Sequence, residues 1–103
     1  MEKVTLWNGF DVYYNEDICI AEINFKLFEG ITKNKWCITD VTDTTVPQEL
    51  RPNVPVTVRN DGTGQIWLKL KTDGFLECYS TKDWEIDKPI SLRATMVWRK
   101  RQE

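Results

Sequence analysis

The chain has 103 residues, the size of one domain with one modest core. Against 16 Asp and Glu stand 14 Lys and Arg, and a formal charge of −2 gives no electrostatic footprint for nucleic acid. There is no histidine, which excludes the usual zinc ligand sets, Ser-His-Asp and Cys-His catalysis, and imidazole acid–base chemistry.

The N-terminus "MEKVTLWNG" lacks the apolar stretch of a signal peptide, and no run approaches the roughly 18 apolar residues of a membrane span, so no membrane insertion is expected. Period-two alternation recurs from the start, whereas no window sustains apolar residues at helical spacing. Lys3–Trp7 reads as a strand, closed by the Asn8-Gly9 turn dipeptide, and Val12–Tyr14 as the next. Asp17–Phe28 is long for one uninterrupted strand and is expected to bend between two sheets. Its Cys19, Ala21, Ile23, Phe25 and Leu27 share one face, and Ile18, Ile20 and Phe28 lie on the other. Lys35–Val41 follows as a strand. Asp43–Pro55, with Pro47, Pro52 and Pro55, reads as a loop or edge crossing, because proline cannot donate to a ladder. Val54–Asn60, Gly64–Lys71 and Phe75–Ser80 are strands punctuated by Asp61-Gly62 and Asp73-Gly74, and Ile90–Arg99 is the last. The basic cluster Arg99, Lys100 and Arg101 then reads as a solubilising end.

Eight strands without a helix imply an all-β antiparallel sandwich or barrel in a single domain, since a lone sheet leaves one apolar face wet. A strand apolar on both faces is usually buried on both, and one small core cannot cover the second face of Asp17–Phe28. Burying two or three such side chains contributes roughly 1.5–3 kcal/mol each, so an oligomer is expected.

In Gly64–Lys71 the alternation turns Ile66, Leu68 and Leu70 inward and Gln65, Trp67, Lys69 and Lys71 outward. Beyond the Asp73-Gly74 turn, Leu76 and Cys78 face the core and Phe75, Glu77 and Tyr79 face out. As hairpin partners the two strands bring Trp67, Lys69, Glu77 and Tyr79 onto one outer patch. An outward tryptophan is either covered by another subunit or stacks on a ligand. Aromatic faces suit saccharides, whose C–H face is apolar and whose hydroxyl rim needs hydrogen bonds of the kind Lys69, Glu77 and Tyr79 supply. Arg59 or Arg93 could add a charge for phosphate. Trp7, Trp36, Trp84 and Trp98 read as core or interface residues.

Asp83, Glu85 and Asp87 alternate in "KDWEIDK", a spacing that calcium could use on an extended segment, but the EF-hand glycine and terminal glutamate are lacking and solvated charges fit better. Glu16-Asp17 and Asp40–Asp43 are the candidate acid pairs for glycoside hydrolysis, which needs a fixed separation across a cleft. With no further signature, neither catalysis nor a metal or other cofactor is expected. Cys19, Cys37 and Cys78 form no C-x-x-C pair and read as reduced core thiols, consistent with assembly inside a cell.

"TVPQELRPNVPVTV" followed by "GQIWLKLKTDGFLECYS" resembles the C-terminal head domain of phage tail receptor-binding proteins, those of lactococcal siphophages above all. The matching pieces are Val46-Pro47, Leu50-Arg51-Pro52, Ile66–Leu70, Asp73-Gly74 and Leu76-Glu77-Cys78, within about a third of the chain. The resemblance implies a β-sandwich head close to a jelly roll, a homotrimer at the distal tail or baseplate of a virion assembled in the host cytoplasm, alongside other phage tail or baseplate proteins. It implies adhesion without chemistry, to a host cell-wall polysaccharide or glycerol-phosphate polymer. It sets Trp67 where such heads carry a histidine and Lys69 where they carry an aspartate. Such heads normally follow a shoulder and stem, so an excised head or a compact variant is expected. The alternative is a structural baseplate or tail-fibre module used only for protein–protein docking.

Overall fold

A computed structural model describes residues 1–39, 45–62 and 64–101. Asp40 and Asp43, with the end of the predicted strand Lys35–Val41, lie outside the described residues. The strands are β1 (Glu2–Trp7), β2 (Phe10–Tyr14), β3 (Ile18–Leu27), β4 (Cys37–Ile38), β5 (Val56–Arg59), β6 (Ile66–Leu70), β7 (Leu76–Ser80) and β8 (Ile90–Arg99). They form two antiparallel four-stranded sheets, ordered β1-β2-β3-β8 and β4-β7-β6-β5. The pairs β3–β8, β4–β7 and β5–β6 are nested one inside the next. The nesting is close to that of a jelly roll, except that β4–β7 and β5–β6 share one sheet, as a Greek key in the order β4-β7-β6-β5, and the β1–β2 hairpin extends the other sheet.

Alternation decides which side chains fill the space between the sheets. From the first sheet come Phe10, Val12, Cys19, Ala21, Ile23, Phe25, Leu27, Ile90, Leu92, Ala94, Met96 and Trp98, and from the second Ile66, Leu68, Leu70, Leu76 and Cys78, all buried. β3 does not bend between sheets. All ten of its residues pair with β8 without a register shift, from Ile18 opposite Arg99 to Leu27 opposite Ile90. The inward series Cys19 to Leu27 is continuous, so a crossing would have exposed half of it. On the outer face only the first part of β3 is apolar. Ile20 lies between Tyr13 and Val97 in register, half-buried, whereas Glu22, Asn24 and Lys26 beyond it are exposed.

At Ser91 and Arg93 the free edge of β8 is covered by the Asn60 side chain and the backbone that follows it. Asn60 Nδ2 donates to Ser91 O at 2.9 Å and Asn60 Oδ1 accepts the Arg93 N–H at 2.7 Å, while the Asp61 N–H reaches Arg93 O. The amide thus substitutes for a neighbouring strand, satisfying backbone groups that burial would otherwise leave costly. One end of the sandwich is plugged by the proline-bounded segment. Val46 and Leu50 are buried, a single 3-10 turn covers Gln48–Leu50, and Leu50 O accepts the Trp98 indole N–H at 2.8 Å. Arg51 Nε donates to Val46 O, and the Val46 N–H to Gly74 O, fastening the plug to the β6–β7 turn. The residues Val46-Pro47 and Leu50-Arg51-Pro52 therefore have a structural job here.

Candidate functional site

The outer face of the second sheet carries the candidate site, and the β6–β7 hairpin sets its register. The Gly74 N–H bonds Lys71 O and the Lys71 N–H bonds Phe75 O, a turn that holds Gly74 at φ +90°. Across the hairpin Trp67 then faces Tyr79, and Lys69 faces Glu77. β5 sets Arg59 opposite Trp67 and Thr57 opposite Lys69. From the other side β4 sets Cys37 opposite Cys78, which brings the preceding Trp36 beside Tyr79.

Three rings consequently run across the strands. Trp36 and Tyr79 have centroids 5.2 Å apart and tilted at 44°, and Tyr79 and Trp67 meet edge to face at 6.3 Å. The order continues to Arg59, exposed at the end of the row. Lys69 Nζ sits 4.1 Å from the Trp36 ring centroid and 3.5 Å from Glu77 Oε1. The Tyr79 hydroxyl donates to Asn34 Oδ1 at 3.2 Å. Asn34, in the left-handed region at φ 57°, is itself held by its N–H to Ser80 O. Trp67, Lys69, Glu77, Tyr79 and Trp36 are all half-buried, shielded mainly by one another. The charges of Lys69 and Glu77 offset each other, and Arg59 adds a cation at the rim. The arrangement offers ring faces and a hydrogen-bonding margin, which is the chemistry of stacking and orientation.

Five of the six predicted site residues therefore share this face, and Arg93 does not. It projects from the first sheet, in register with Asn24 and exposed. Trp36, read from the sequence as core or interface, belongs to the row. The signal was present in "KWCI", where an inward Cys37 forces Trp36 outward, but finding Tyr79 beside it requires the order β4-β7-β6. Of the other tryptophans, Trp98 is core, and Trp84 is half-buried with its indole N–H on Ser80 Oγ at 2.9 Å and Lys82 over its ring.

The carboxylates Asp83, Glu85 and Asp87 do not converge. Trp84 is bridged to Ile31, Asp83 Oδ1 accepts the Lys33 N–H at 2.9 Å, and Asp87 turns to φ 69°, which breaks the alternation. Among the described residues no three metal-ligating side chains are placed to hold an ion. Glu16 and Asp17 stand in the exposed β2–β3 turn, where Asn15 Oδ1 accepts both the Asp17 and Ile18 N–H groups.

All three thiols are free. Burial pushes Cys78 up to about 12, with the neighbouring Cys37 and Glu77 adding to the shift, and burial raises Cys19 against an opposing pull from Lys100. Only Cys37 is partly exposed. A thiol reagent at mildly alkaline pH is therefore expected to titrate Cys37 alone in the native protein and all three thiols after unfolding. Above pH 9.0, the ordinary thiol value, the unfolded chain releases the Cys78 proton while the folded chain keeps it. Stability is thus expected to fall as pH rises from there toward about 12. Denaturant titrations across that range, with Cys78→Val as the control that flattens the slope, check it.

No protein-family model matches the chain, and no curated protein sequence matches it.

Proposed function

We propose that this chain is a receptor-binding head of a phage tail, a non-enzymatic adhesin that grips a host cell-surface saccharide. The observation that carries the reading is the row Trp36–Tyr79–Trp67–Arg59, rings held outward on a rigid sheet with the Lys69–Glu77 pair alongside. Rings in such a row suit successive C–H faces of a polymer, and Arg59 suits a phosphate or carboxylate substituent. A cell-wall polysaccharide or glycerol-phosphate polymer has both features. The sequence resemblance around Val46–Pro52 and the β6–β7 hairpin supports the phage setting, and the nested sandwich is compatible with a head of that kind.

In the proposed assembly three copies meet through the outer face of the first sheet, where Tyr13, Ile20 and the exposed Val97 form a small apolar band. The ring-bearing sheet then stays open to ligand.

Calorimetric titration of solubilised host wall glycan is expected to show binding that Trp67→Ala and Trp36→Ala each weaken about three- to tenfold, the range of one lost stacking contact. Unchanged affinity in both variants would remove the row from the site. The purified protein should also coat susceptible cells and block phage adsorption. A module that serves only to dock tail or baseplate proteins would do neither. Light scattering on the same sample reads the assembly, with a monomer counting against the trimer.

A further inference from the structure

The molecule is about 40 Å long and 23 Å across, and its exposed apolar side chains are unevenly spread. Among the described residues seven large hydrophobic side chains are exposed, and three of them, Trp7, Phe28 and Ile86, lie toward the end opposite the Val46–Pro52 plug. Trp7 and Phe28, 45% and 47% exposed, line an open groove of about 470 Å³ together with Asn8, Asn24, Lys26 and Glu29.

The backbone builds this groove on purpose-shaped local structure. Alternation along β1 turns Leu6 onto the core and Trp7 outward, and a register shift between Thr5 and Trp7 sets Trp7 opposite Phe10 at the end of the strand. The Asn8-Gly9 turn that follows is bonded to β3, with the Asn24 N–H on Gly9 O at 2.6 Å, which fixes Asn8 and Asn24 at the groove together. The Glu29 carboxylate caps the Phe28 N–H at 3.2 Å, holding the far wall.

The polar groups here differ from those of the ring row. There Lys69, Glu77 and Tyr79 already satisfy one another or Asn34. In the groove the side chains of Asn8, Asn24 and Lys26 have no hydrogen-bond or ion-pair partner among the described residues. Two aromatic walls, two free amides and one charge of each sign make a site without net charge, rich in both donors and acceptors. Its volume falls in the small-ligand range of roughly 300–1,000 Å³.

We propose that the Trp7–Phe28 groove is a second saccharide subsite, selective for neutral pyranose units, in contrast to the row that ends on Arg59. Its ligand presents an apolar C–H face to Trp7 and Phe28, and its hydroxyls meet Asn8, Asn24 and Lys26. The subsite does not depend on the ring row being a binding site or on the phage setting.

The test is two-dimensional amide NMR of the whole chain, with methyl α-glucopyranoside and methyl N-acetyl-β-glucosaminide as probes and glycerol phosphate as the anionic control. At least one neutral glycoside should shift the Trp7 indole N–H and the Asn8 and Asn24 side-chain amides, and the anion should not. Trp7→Ala and Phe28→Ala, both at exposed positions, should weaken that response about three- to tenfold, and Trp67→Ala should leave it in place. A silent Trp7 indole at the highest soluble glycoside concentration overturns the proposal. So does an equal response in wild type and Phe28→Ala, or a Trp7 shift that follows protein concentration and puts a second copy in the groove. Shifts confined to Trp36, Trp67 and Tyr79 keep the row and remove the groove, and the reverse pattern removes the row alone.

Discussion

Gly9→Ala is expected to destabilise the protein by about 3 kcal/mol, a fall in melting temperature of roughly 12–24 °C for a domain of this size. Gly9 has φ +98°, and an added Cβ would lie 2.2 Å from Asn24 O and 2.9 Å from Asn24 C. Both contacts are backbone, so no side chain can swing aside. To relieve them the turn must move off β3 and give up the Asn24 N–H to Gly9 O bond, leaving an amide less well satisfied. The strain of a left-handed position adds to this for any residue with a Cβ. Thermal melts of wild type and Gly9→Ala check the expectation. A shift below about 4 °C, equivalent to less than 1 kcal/mol, would mean that the turn is not clamped to β3 as described, and the rigidity assigned to Trp7 and Asn8 would go with it.

The eight strands were legible because nearly every one writes its own orientation. Ile66–Leu70 and Leu76–Ser80 alternate without exception, and Asp73-Gly74 leaves them one sensible register, so the facing pairs Trp67–Tyr79 and Lys69–Glu77 followed from local pattern alone. What alternation does not encode is the order of strands in a sheet. Trp36 could be turned outward from "KWCI", yet only the β4–β7 pairing puts it against Tyr79. Arg93 lies apart from the rings for the same reason, since its side chain leaves the outer face of the first sheet while the rings leave that of the second. The length of β3 suggested a bend because isolated strands are usually shorter. Its partner β8 is equally long, and two ten-residue strands in full register need no corner. The Trp7–Phe28 groove was illegible on the same ground as the Trp36–Tyr79 contact: alternation turns Trp7 outward at the end of β1 and Phe28 outward after β3, but only the order β1-β2-β3 brings the two together.

The face assignment of the second sheet makes Trp67 and Leu68, adjacent in the chain, respond oppositely to the same substitution. Leu68 is fully buried, lying in register between Cys78 and Val58 on the inner face. Leu68→Ala is expected to cost about 2.7–5 kcal/mol, the lost transfer energy together with the cavity left behind, because flanking strands bonded on both sides cannot close in. Against a total of about 5–15 kcal/mol that is enough to bring some fraction of the protein to unfolding at ordinary temperature. Trp67 is half-buried on the outer face, touching Tyr79 edge to face, and Trp67→Ala forfeits only part of its burial, about 1 kcal/mol. Urea titrations of both variants measure the difference. Leu68→Ala should move the midpoint several times further than Trp67→Ala while glycan affinity, measured below its midpoint, holds. Trp67→Ala should keep most of the stability and lose affinity. If the larger stability loss came from Trp67, the ring would be a core element of its own protomer, and the outer face of this sheet would have no claim to a ligand.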